Sequence, residues 1–197
     1  MPSLHQIYVV LVVVFAFSAP LGAQKPDTNF PTDDEIRLVL TQAGRAVEQY
    51  KPYLDMEQKM LGKTGDAAVA KDRETIRGIE VAIISFGKDP QAFNGPFGFV
   101  FFEWLDDASR NALACASSAS NDVAASVVVG DKAKVDSDVQ LSLGCTNAST
   151  LLYTVSENAG ALYTRYVQGE EKLAKYTFQV ASECADILKK KATTQKQ

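Results

Sequence analysis

From Leu141 onward an apolar or small residue recurs every three or four positions: Leu141, Cys145, Ala148, Leu152, Val155, Ala159, Leu162, Tyr166, Gly169, Leu173, Tyr176, Val180, Cys184 and Ile187. That alternation is what one helix presents to another. A strand would need a period of two. The seam predicts a chain of packed helices, and its length raises one question of connectivity. Ser156, Asn158 and Gly160 are poor helix-interior residues, so a break is expected near 156–160, with "SLGCTN" near 142–147 as the alternative.

The rest of the chain follows the same period. Thr32 with Glu35 forms a capping box, and Asp33, Asp34 and Glu35 put negative charge at a helix start. Ile36, Val39, Leu40, Ala43, Val47 and Tyr50 then share one face. Pro52 should kink or break that helix, since it lacks a backbone donor. The pattern resumes at Tyr53 and Leu54 and stops at Gly62. A second helix is expected over Ala67–Phe86, with Ile76, Ile79, Ile83 and Phe86 inward and Gly87 as its cap. The expected fold is all-α, an antiparallel bundle of four to five helices.

Between Phe97 and Trp104 five aromatic residues crowd into "FGFVFFEW". Both parities are apolar, so a strand with one wet face does not fit. A helix does: Glu103, Asp106, Asp107 and Arg110 form a polar face. Opposite lie Phe101, Leu105, Ala108, Ala112, Cys115, Ala119, Val123 and Val127. Pro96 suits the first turn of this 97–129 helix. The aromatics read first as its buried, wide end. Their other reading is a contact for a ligand or partner, with Phe97, Phe101 and Trp104 as the candidate residues.

Ahead of the helices, "IYVVLVVVFAFSAPLGA" reads as a secretory signal peptide spanning residues 1–23, with cleavage after Ala23. Its apolar core of about 13 residues is short of the roughly 20 that a membrane span requires. No stable span is expected after cleavage, and the product is expected to be secreted or periplasmic. Residues 24–31 read as a mobile lead-in, 32–191 as the bundle and 192–197 as a polar tail. The 197-residue chain carries a net charge of −4, a poor match for nucleic acid. The lysines at 189–191 read as a solvated helix end.

The one histidine, His5, lies within the signal peptide. The mature chain would then lack the residue that Ser-His-Asp and Cys-His catalysis, His-ligated zinc and haem all use. No cofactor, metal site or catalytic cluster is expected. Glu103 with Asp106 is the nearest thing to a carboxylate pair, and that spacing usually marks a solvated helix face.

Three cysteines can be sorted by geometry. Cys115 lies 15 residues before Gly130 and Cys145 lies 15 after it. In an antiparallel hairpin turning at Gly130 they stand at one height, about 22 Å from the turn. Ala112, Ala116, Ala119, Gly144 and Ala148 leave room for the close approach that a disulfide needs. The expected bond is Cys115–Cys145, which an exporting compartment would oxidise. Cys184 is left over, as a small buried residue or a free thiol. Asn147-Ala148-Ser149 matches a glycosylation acceptor.

Two roles fit these residues. One is an exported bundle with a non-catalytic binding or structural role toward a protein partner or a second copy of itself. The other is a carrier of a small apolar ligand held at the aromatic-rich end of the 97–129 helix. The export reading predicts that material recovered from the medium or periplasm begins at Gln24 by mass spectrometry. Recovery of the intact chain in the membrane fraction would show an anchor instead.

Overall fold

The structure, a computed structural model, describes residues 25–62 and 65–194; the stretch expected to be a signal peptide and the end of the polar tail lie outside the described residues. Among these, four α-helices succeed one another: α1 (Asp33–Leu61), α2 (Asp66–Lys88), α3 (Pro96–Val129) and α4 (Lys132–Thr194). A single 3-10 turn, Pro90–Phe93, stands between α2 and α3, and the described residues contain no strand. The fold is the expected all-α bundle. The described residues divide into two compact units, one of Pro31–Tyr166 and one of 25–30 with 167–194.

In the larger unit each helix begins and ends for a local reason. The Thr32–Glu35 capping box is formed in both directions. Gly62, at φ 59°, closes α1 by donating its N–H to the Gln58 carbonyl. Helix α1 does not break at Pro52. The lost backbone bond, worth roughly 3 kcal/mol in a free helix, is outweighed by the buried face that continues through Val47, Tyr50 and Leu54. Pro52 itself is exposed, and its neighbour Lys51 pairs with Glu48 and Glu80.

Helices α1 and α2 run antiparallel. Arg37 Nη1 donates to the Gly87 carbonyl at one end, and Arg73 pairs with Asp55 toward the other. Between α2 and α3 the expected loop is compact. Pro90 and Phe93 are buried within it, and Phe86, Phe93 and Phe101 stack edge to face with ring centroids 5.7–6.4 Å apart. Gly98 is required here, because a Cβ on it would lie 2.1 Å from the Phe93 carbonyl oxygen.

Helices α3 and α4 form the expected hairpin. Gly130 adopts the left-handed conformation at φ 77°, and Asp131 N–H returns to the Ser126 carbonyl. Cys115 and Cys145 are joined, with Cα atoms 6.1 Å apart. Around the bond, serine hydroxyls of each helix reach carbonyls of the other. Ser109 Oγ donates to the Ser149 carbonyl and Ser149 Oγ to the Ser109 carbonyl, at 3.1 and 2.9 Å. Ser142 Oγ reaches the Ala116 carbonyl at 3.1 Å. Toward the turn the packing thins: the seam of α3 is buried as far as Ala119, while Val127, Val128 and Val129 are exposed. By length and composition α3 would suffice to cross a bilayer. Its Phe101, Leu105, Ala108, Ala112 and Cys115 belong to the core of this unit.

The expected break near 156–160 does not occur, and neither does the alternative at 142–147; α4 is one helix. Its poor helix formers are held by tertiary contacts. Ser156 and Ala159 are buried, Asn158 donates to Gln42 of α1, and Gly160 lies under the Phe102 ring. Arg165 grips Glu35 of α1 with two hydrogen bonds of 2.7 and 3.0 Å.

In the smaller unit the lead-in lies on the last part of α4. The Phe30 ring and the Thr28 carbonyl occupy the space beside Gly169, and Lys172 Nζ donates to the Asp27 carbonyl at 3.3 Å. Val180 is buried and Cys184 is a half-buried free thiol.

The disulfide closes a separation of 30 residues, for which chain entropy gives about 3–4 kcal/mol. Cys115→Ser should therefore lower the melting temperature by roughly 6–12 °C. Unreduced peptide mapping should find Cys115 linked to Cys145 and the half-buried Cys184 as a free, alkylatable thiol.

Candidate functional site

The aromatic start of α3 separates into three environments. Phe97 is 71% exposed, Phe101 is 0% exposed within the phenylalanine triad, and Trp104 is half-buried against Gly78 of α2. The three sequence candidates thus do not form one site. Phe97 alone is open, Phe101 is core, and Trp104 joins α2 to α3.

The residues between them build a groove instead. Phe99 and Phe102 of α3 face Glu157, Gly160, Ala161, Tyr163 and Thr164 of α4 across a space of about 400 Å³. Three consequences of residue choice shape it. Gly160 has no side chain, so the Phe102 ring settles onto the α4 backbone, 3.1 Å from where a Cβ would stand. Gly98 likewise lets Tyr163 approach α3. The Tyr163 ring then leans on Phe99 at 5.6 Å and on Tyr166 at 6.0 Å, while Phe99 and Phe102 lie 6.1 Å apart. All of these pairs are tilted by 44–53°, so the rings form walls at an angle and not a stack. Helical spacing explains the set, because 99 and 102 share a face of α3, and 157, 160, 161 and 164 share a face of α4.

A second cluster was not anticipated from the sequence. Glu57 of α1 and Asp72 of α2 are 7% and 8% exposed, beside the fully buried Tyr50. Asn111 of α3 donates Nδ2–H to Asp72 Oδ1 at 2.5 Å. Glu57 Oε2 and Tyr50 Oη have no hydrogen-bond partner of normal geometry. Burial, and then the charge of Asp72, push the Glu57 carboxyl up to about 7. Burial raises Asp72 to about 6, against smaller opposing effects of Lys71 and the nearby Tyr50 hydroxyl. Burial and the two acids raise the Tyr50 phenol as well. A signal was present: Glu57 continues the Tyr50–Leu54 face, and Asp72 continues the stripe of Val69, Ile76 and Ile79.

Other candidates fall outside both clusters. Glu103 and Asp106 lie on the outer face of α3, where Asp106 pairs with Arg110. Asn147 is exposed on α4 two residues after Cys145, while Ser149 of the same acceptor sequence is buried and donates to the Ser109 carbonyl. A cleft between α1 and α2 is occupied by its own ion pairs, Lys51 with Glu48 and Glu80, and Arg73 with Asp55. No group of three or more His, Cys, Asp or Glu placed to hold a metal occurs among the described residues. No family model matches the chain, and no curated protein or solved structure matches it significantly.

The buried acids generate a pH prediction. Their folded-state values lie above the ordinary 4.5 and 3.8, so the native state holds these protons more tightly than the unfolded chain does. Their contribution to stability is complete in acid and is lost as pH rises through 6 to 7. Glu35, held down to about 2 by Arg165, acts oppositely, but only in more acid solution. The melting temperature should accordingly be higher at pH 5.5 than at pH 8. Glu57→Gln should raise it at pH 8 by several degrees and flatten the profile. A profile that rises between those pH values would contradict the assignment.

Proposed function

We propose that this is an exported, non-catalytic helical-bundle protein that binds a small apolar ligand in the groove between α3 and α4. The groove carries the reading: Phe99 and Phe102 meet Tyr163 over Gly160 across a space of about 400 Å³. That size suits a small organic molecule. Phe99 is 45% exposed and Phe97 71%, although core positions on the same helix are filled. Exposed aromatic rings beside a concavity favour occupancy, because a ligand removes their surface from water. The expected signal peptide, together with the Cys115–Cys145 disulfide, supports a role outside the reducing cytosol.

A partner-binding role has a separate observation in its favour. Val127, Val128 and Val129 are 61%, 87% and 81% exposed at the hairpin end of α3. Association of two copies there would appear as a dimer mass in light scattering.

For the groove, a thermal-shift screen of small aromatic compounds should find stabilisers. At a hundredfold excess over Kd a ligand adds about 2.7 kcal/mol, or roughly 5–10 °C. Phe102→Ala should abolish the shift. A ligand that stabilises the wild-type chain and the variant equally would remove the groove from consideration.

A further inference from the structure

Resting on the groove reading, we propose that its ligand is an organic cation: a quaternary or bulky ammonium carried on an apolar body. The rings of Phe99, Phe102 and Tyr163 supply the groove's walls, and aromatic faces carry negative quadrupolar potential that attracts a cation. Glu157 is the one charged residue in the lining, which contains no Lys, Arg or His. It has no ion pair or hydrogen bond among the described residues. Arg165, which follows Thr164 on α4, is not part of the groove lining and pairs with Glu35.

These charges select the ligand class by elimination as well as by attraction. An anion would meet Glu157 and the ring faces and be repelled. A neutral apolar molecule would cover the rings but gain nothing from the exposed Glu157 carboxylate. A compact primary ammonium is strongly hydrated and loses that shell on entry. An alkylated ammonium is weakly hydrated, contacts the rings through its methyl groups and places positive charge near Glu157. The Thr164 hydroxyl is already engaged with the Gly160 carbonyl at 2.9 Å and adds no competing demand.

The test uses the full chain and three probes of one shape: phenyltrimethylammonium, its neutral isostere tert-butylbenzene, and benzoate as the anion. Binding is followed by NMR titration. Phenyltrimethylammonium should bind roughly fivefold to tenfold tighter than tert-butylbenzene, and benzoate should bind weakest. Glu157→Gln, an exposed substitution that leaves the core intact, should weaken the cation to the part of its advantage that the ring faces alone supply, without changing the affinity of the neutral probe. Phe102→Ala should weaken both. Equal affinities for cation and neutral probe, or a cation affinity unmoved by Glu157→Gln, would overturn the cation assignment while leaving an apolar groove in place. If none of the three probes perturbs the resonances of Phe99, Phe102 or Tyr163, the groove reading and the cation assignment fall together.

Discussion

The arrangement depends on how closely α3 and α4 approach. Packed helices usually keep their axes 8–10 Å apart. At Cys115–Cys145 the facing Cα atoms stand 6.1 Å apart, which that spacing allows, joined by a disulfide with Ala112, Ala116, Ala119 and Ala148 buried on the same two helices. Small side chains make that approach possible, the reciprocal Ser109–Ser149 bonds satisfy polar groups within it, and the covalent bond fixes its register. The same register, carried away from the turn, brings Gly160 beneath Phe102 and Tyr163 beside Phe99. A slip of one helical turn would put a full side chain under Phe102 and close the groove. The disulfide and the candidate site are therefore parts of one geometric constraint, although about 13 residues of helix separate Cys115 from Phe102.

Much of the fold was legible because it rests on periodicity and on chirality. The capping box, the terminating Gly62 and Gly130, and the buried seam of α4 from Leu141 to Leu162 are local signals with local causes. The cysteine pairing was also legible, since two equal distances from a glycine turn define a height. What misled was intrinsic propensity. Pro52 and the Ser156–Gly160 segment weaken an isolated helix, yet each sits where partners on other helices hold the chain. Propensity amounts to a kilocalorie or so per residue, or about 3 for proline, and a continuous buried face exceeds it.

The site was less legible for a different reason. The aromatic run was evident, but alternation along a helix does not say which of neighbouring rings faces a core and which faces a groove. Phe101 went inward and Phe99 and Phe102 stayed near the surface because α2 and the 3-10 turn cover only one side of α3. The acid pair was hidden by the habit of reading charge as surface. Glu57 and Asp72 occupy stripe positions, and only the packing of α1, α2 and α3 shows that they are buried, with the Asn111 amide on Asp72.

Trp104 has a consequence of its own. It is the chain's single tryptophan, and its ring lies against Gly78, with atoms 3.1 Å from where a Cβ would stand. No other indole contributes emission, so fluorescence excited at wavelengths that the seven tyrosines do not absorb is the signal of one seam, that between α2 and α3. A spectroscopist would therefore hold a built-in gauge of whether those two helices remain in contact, with no label introduced and no residue replaced.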